Sequence, residues 1–195
     1  MKNLVLVLVA FAACVTAVPT KSSHIDVFKN TLRGSDSRVV GGVEAEKNQF
    51  PYLCSLEWGM LGVFSHMCGC VAIKEDWVLT AGHCKPFPFG SYRVVLGRLD
   101  MGEENEDIQT HDVVNFIVHH NYPGGVAAND IGLLKLQTKI VPTEAVTIGI
   151  VPTEEECKTR TLGDAILAGW GLTNGIIPIP PKRAHYTIVP VISFE

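Results

Sequence analysis

From Val39 onward the chain alternates short apolar runs with turn-forming residues. The runs are Tyr52–Trp58, His66–Ile73, Trp77–Ala81, Tyr92–Leu96, Val113–His119, Ile131–Lys135, Ala165–Gly169 and Thr187–Ile192. Val, Ile and Leu dominate them, and Gly, Pro and Asn separate them. β-Branched side chains fit a pleated surface, and glycine and proline interrupt it, so each run is a predicted strand. The helical spacing of apolar residues is scarce. The pattern predicts an all-β barrel or sandwich. No internal repeat or low-complexity segment stands out.

The part before Val39 reads differently. Lys2 is followed by a continuous apolar run from Leu4 to Ala13 and by the small-residue site Val15-Thr16-Ala17. Residues 1–17 are therefore expected to be a secretory signal peptide cut after Ala17. Lipid attachment at Cys14 is the rival reading. The run is shorter than the ~20 apolar residues that span a bilayer, and no second one follows, so no membrane partner is expected. Residues 18–38 are polar and without period, and read as a pro-segment or a linker. They end at Arg38, before Val39-Val40-Gly41-Gly42, a candidate processing site at a shift in composition.

Composition adds a few bounds. Hydrophobic residues make up 47% and charged residues 18% of the 195-residue chain, enough to build a core. The net charge of −4 argues against a nucleic-acid partner, which needs a basic face. Secretion makes disulfides the default state of the cysteines. Loss of residues 1–17 would leave Cys54, Cys68, Cys70, Cys84 and Cys157, an odd set. An odd set implies a free thiol, an intermolecular bond or a partner elsewhere.

The candidate chemistry starts at His83. An imidazole is a good general base near neutral pH, provided a carboxylate orients its other nitrogen. Asp130 can supply that carboxylate. It opens the apolar stretch Ile131-Gly132-Leu133-Leu134, where a partly buried carboxylate needs a partner.

At these two residues the chain resembles a known family. Cys68-Gly69-Cys70-Val71-Ala72-Ile73 followed by Trp77-Val78-Leu79-Thr80-Ala81-Gly82-His83-Cys84 resembles the CGGSLI…WVLTAAHC block of chymotrypsin/trypsin-like serine proteases. Asn129-Asp130-Ile131-Gly132-Leu133-Leu134 resembles their DIALL block. Arg38-Val39-Val40-Gly41-Gly42 looks like their activation site, Phe50-Pro51-Tyr52 like the segment after it, and Gly169-Trp170-Gly171 like the start of their second barrel. The matches are collinear from Arg38 nearly to the C-terminus.

The resemblance implies a trypsin-like double β-barrel over residues 39–195, with the first barrel complete and the second only partly present. It implies a secreted zymogen, with 18–38 as activation propeptide and cleavage between Arg38 and Val39 by a trypsin-like protease. His83 would be the general base and Asp130 its orienting partner. Cys68 and Cys84 would form a disulfide beside His83. Substrates would be proteins or peptides, with no cofactor and no metal.

The nucleophile is the point of departure. In the family the serine follows the aspartate by roughly ninety residues, within a GDSGG block. The one serine after Asp130 is Ser193, which has no glycine near it. The chain is thus expected to lack nucleophile, oxyanion hole and specificity pocket, and to be inactive as it stands. A non-catalytic homologue that binds or regulates a partner is the second reading.

Several smaller readings stay open. Cys54 and Cys70 lie on adjacent predicted strands and either pair or remain buried thiols. Cys157 would then be left single. His66, Cys68, Cys70, His83 and Cys84 admit a zinc reading, against which stand oxidation on secretion and an unusual spacing. The acidic stretch Glu103–Asp107 is expected to be a solvated loop. It lies where trypsins often carry calcium, but Arg98 stands where a ligand glutamate is usual. Gly82 replaces the usual alanine.

Overall fold

The protein is described here by a computed structural model covering residues 42–125, 127–159, 163–172 and 180–191. Arg38, Val39, the expected signal peptide and propeptide, and Ser193 lie outside the described residues.

Nine strands carry the architecture: β1 (Val43–Glu44), β2 (Leu53–Met60), β3 (Val63–Lys74), β4 (Trp77–Thr80), β5 (Ser91–Leu96), β6 (Gln109–Val118), β7 (Gly132–Leu136), β8 (Asp164–Gly169) and β9 (His185–Pro190). β2 to β7 close into a six-stranded barrel in the order β2-β3-β4-β7-β6-β5. β1, β9 and β8 form a separate three-stranded antiparallel sheet, the partial second barrel. A short helix, α1 (Glu154–Thr159), precedes β8. Every predicted run is a strand, with ends shifted by a few residues. β1 and α1 were not predicted. Among the described residues no helix is long and apolar enough to cross a membrane.

Strand alternation explains the core. Cys54 and Leu56 of β2 point into the barrel with Val94, Leu96, Leu134 and Phe116. Ser55 and Glu57, one residue out of phase, face the other way, yet both are buried. The turn from β2 to β3 is Leu61-Gly62, with φ of 53° and 82° at its two positions. Positive φ at both central residues matches the right-handed twist of a hairpin, and leaves Leu61 98% exposed. A second apolar cluster, Ala45, Phe50, Trp170 and Ala184, seats the smaller sheet against the barrel.

The buried Glu57 carboxylate accepts hydrogen bonds from Arg93 Nε and Arg98 Nη1, both at 2.7 Å. Arg98 Nη2 reaches on to Glu104 at 3.1 Å. Asp107 pairs with Lys47 at 2.9 Å. The acidic stretch is the solvated loop expected, with Glu104, Asn105 and Glu106 exposed, and two ion pairs link it to Arg98 and Lys47.

Buried histidines give the fold a pH dependence. His111 has Nδ1 2.7 Å from Thr138 Oγ1, while its Nε2 is buried without a partner. Burial pushes its pKa below the ordinary 6.5, and burial lowers that of His66 likewise. An unfolded chain takes up these protons as pH falls through 6.5, and the folded chain takes them up only at lower pH. Stability is thus flat above that point and is lost as pH drops towards 5, before most carboxylates titrate. Urea midpoints should fall from pH 7 to pH 5, and His111→Gln should flatten the fall. An unchanged slope in that variant would rule out His111 as its source.

Candidate active site

Two short backbone devices bring His83 and Asp130 together. Asn129, at φ 63°, takes the left-handed conformation that asparagine tolerates better than most side chains. Ile131 N–H then donates to the Asn129 carbonyl at 2.8 Å, a tight turn around Asp130 that leaves the aspartate 5% exposed. On the other side β4 ends at Thr80, and Gly82–Cys84 form one 3₁₀ turn that presents His83. A Cβ at Gly82 would stand 3.0 Å from Tyr122 Cδ1, 3.0 Å from Val118 Cγ1 and 3.3 Å from Asp130 Oδ1. Glycine here lets the turn sit close over the aspartate.

Both carboxylate oxygens hold the histidine. His83 N–H donates to Asp130 Oδ1 at 2.8 Å, and Nδ1 lies 2.8 Å from Oδ2. An ionised carboxylate only accepts, so the proton of the neutral ring belongs on Nδ1. Nε2 is left with its lone pair, as a general base requires. The His83 side chain is 50% exposed and Asp130's 2%. One end of the pair is anchored and the other is open.

His83 and Asp130 line a cleft of about 780 Å³ between the barrel and the smaller sheet, together with Cys68, His66, Trp170 and Leu172. The Cys68–Cys84 disulfide bounds it on the barrel side. Cys68 Sγ lies 4.0 Å from His83 Nε2. A second disulfide joins Cys54 to Cys70, which stand directly opposite in the β2–β3 register. Cys157 is disulfide-bonded as well, to a partner outside the described residues; the expectation of a single cysteine concerned the chain after loss of residues 1–17. With Cys68 and Cys84 oxidised, the zinc set has lost its thiolate donors, although their sulfurs and one His83 nitrogen lie within 4.8 Å of one another.

His66 has a place here that sequence reasoning missed. Its Nδ1 lies 2.7 Å from Ser55 Oγ, and its ring meets Trp170 edge-on at 5.6 Å. Burial keeps it neutral at pH 7. The His-x-Cys-x-Cys spacing drew attention to metal. The useful signal was Ser55 on the neighbouring strand.

The trypsin family model matches residues 39–195. The chain belongs to the trypsin family. Its closed barrel and partial second barrel fit the trypsin-like fold, and members of the family are serine endopeptidases. The chain is 33% identical to "Chymotrypsin-like elastase family member 1" of Canis lupus familiaris, over 80% of this chain and 61% of that protein. It is 35% identical to "Lectizyme" of Glossina austeni, over 95% of this chain and 66% of the relative. "Trypsin-1" of Astacus astacus is 34% identical, over 80% and 65%. A solved structure titled "Structure of GrC" superposes with a TM-score of 0.67 at 29% identity, covering 77% of this chain and 64% of that one. The chain therefore spans about 61–66% of the length of these curated relatives.

Proposed function

We propose that the chain is the base-bearing part of a secreted serine endopeptidase zymogen. On this reading residues 1–17 direct secretion and residues 18–38 are an activation propeptide. A trypsin-like protease cuts between Arg38 and Val39. The observation that carries the reading is the His83 imidazole, held at Nδ1 and at its backbone N–H by one buried carboxylate, with Nε2 turned to the cleft.

The chemistry follows from that arrangement. His83 Nε2 takes the proton of an attacking serine hydroxyl and returns it to the leaving amine. Asp130 holds the tautomer and stabilises the imidazolium. Acyl transfer also needs the serine itself and backbone N–H donors for the oxyanion. Among the described residues no serine is hydrogen-bonded to His83, and no serine of the 195 stands in a Gly-Asp-Ser-Gly-Gly setting. In this proposal that setting belongs to additional sequence in a longer protein, and these 195 residues alone cleave nothing.

The test has two arms. Residues 18–195, cleaved after Arg38, are treated with a fluorophosphonate that labels activated serines. No stoichiometric labelling is expected; a full equivalent would overturn the proposal. The transcript beyond the Glu195 codon is then read. An in-frame Gly-Asp-Ser-Gly-Gly block, with labelling of its product abolished by His83→Ala, is the supporting result.

A further inference from the structure

The partner that His83 Nε2 meets among the described residues is a sulfur. Cys68 Sγ stands 4.0 Å away; with the ring proton on Nδ1 and the sulfur in a disulfide neither atom carries a hydrogen, so this is a contact that becomes a hydrogen bond only once Cys68 is a thiol. The same imidazole is fixed at Nδ1 by the buried Asp130 carboxylate, 2.8 Å distant. Cys68 is half-buried at the cleft, whereas its disulfide partner Cys84 is buried. Sulfur, imidazole and carboxylate thus follow one another, which is the order in which a thiol nucleophile is activated. The disulfide alone keeps that thiol from existing.

The geometry points to Cys68 as a redox-gated nucleophile, released when the Cys68–Cys84 bridge is reduced and activated by His83 and Asp130. The arrangement does not depend on where a serine comes from, so it stands apart from the protease reading.

The steps balance as follows. A dithiol reductant attacks one bridge sulfur through its thiolate, breaking the S–S bond and forming a mixed disulfide. Its second thiolate then attacks the reductant's own sulfur in that mixed disulfide and expels the protein cysteine as a thiolate, so the reductant is oxidised to a cyclic disulfide. The bridge gains two electrons and two protons, one proton for each cysteine. The Cys68 proton passes to His83 Nε2, leaving a thiolate beside an imidazolium whose other side faces Asp130. A soft electrophile such as iodoacetamide is then attacked by the sulfur. A C–S bond forms, iodide leaves, and His83 gives its proton to solvent.

The expected size follows from thiolate chemistry. An ordinary thiol is well under ~1% ionised at pH 6, because its pKa is about 8.5. Pairing with an imidazolium raises the thiolate share by roughly two orders of magnitude, and the weaker nucleophilicity of a stabilised thiolate removes about one. The net gain at pH 6 is about tenfold.

The experiment uses the whole chain in two forms, so that it does not hang on reduction alone. One is the wild type reduced with dithiothreitol and exchanged out of it. The other is Cys84→Ser, which frees Cys68 without reductant. Carbamidomethylation by iodoacetamide is followed from pH 5 to pH 9 by peptide mass spectrometry, with the Cys54–Cys70 bridge verified intact. Cys68 should react at pH 6 about tenfold faster than in the same forms carrying His83→Gln, and Asp130→Asn should remove part of that gain. Rates within twofold of the His83→Gln forms, or a pH profile with a single rise near pH 8.5, would overturn the proposal.

Discussion

Asp130→Asn is expected to lower kcat for amide hydrolysis by about 10⁴-fold in the longer, serine-bearing protein proposed above, with KM little changed. Asp130 accepts two hydrogen bonds, from the His83 backbone N–H and from Nδ1, each at 2.8 Å. An asparagine offers one oxygen and one NH2 group. If the oxygen serves the backbone N–H, the NH2 faces Nδ1 and forces the ring proton onto Nε2. The lone pair that must accept the serine proton is then gone. The substitution preserves shape, so circular dichroism and the denaturation midpoint should hardly move. A loss smaller than tenfold would show that His83 does not draw its tautomer from Asp130.

Glu57→Ala should produce the largest loss of stability, about 3–5 kcal/mol, because it strips the counter-charge from buried guanidinium groups. Glu57's side chain is 4% exposed, Arg98's 6% and Arg93's 29%. Arg93 can turn towards water. Arg98 cannot, and its Nε is already buried without a partner. Its remaining partner, Glu104, is 80% exposed and lends little. Against a total stability of ~5–15 kcal/mol this is a large fraction. Urea denaturation of Glu57→Ala, Arg98→Met and the double variant would measure it. The double variant should lose less than the sum of the singles, since it leaves no orphaned charge at Arg98. A loss below about 1 kcal/mol in Glu57→Ala would mean that water reaches the pair.

Prediction from the chain succeeded where the signal is local. Eight apolar runs became β2 to β9, because period-two burial of branched residues leaves few alternatives to a strand. β1 escaped, since its two residues pair with β9 through contacts far away in the sequence. α1 also carries a local signal. Thr153 and Glu156 make a capping box, with Glu156 N–H donating to Thr153 Oγ1 at 3.3 Å and Thr153 N–H to Glu156 Oε2 at 2.7 Å.

The family, the strands and the pair His83 and Asp130 were set by the sequence alone, because they rest on residue types at fixed spacings and on collinear motifs. What faces what was decided only by the tertiary structure. A one-residue slip of β2 against β3 keeps every local preference and reverses every side chain, so the Cys54–Cys70 pairing could not be read beforehand. The same holds for Glu57, a polar residue at a strand position that became the buried hub of two arginines. It holds above all for Cys68 Sγ beside His83 Nε2, a contact made across 15 residues by the closing of a barrel.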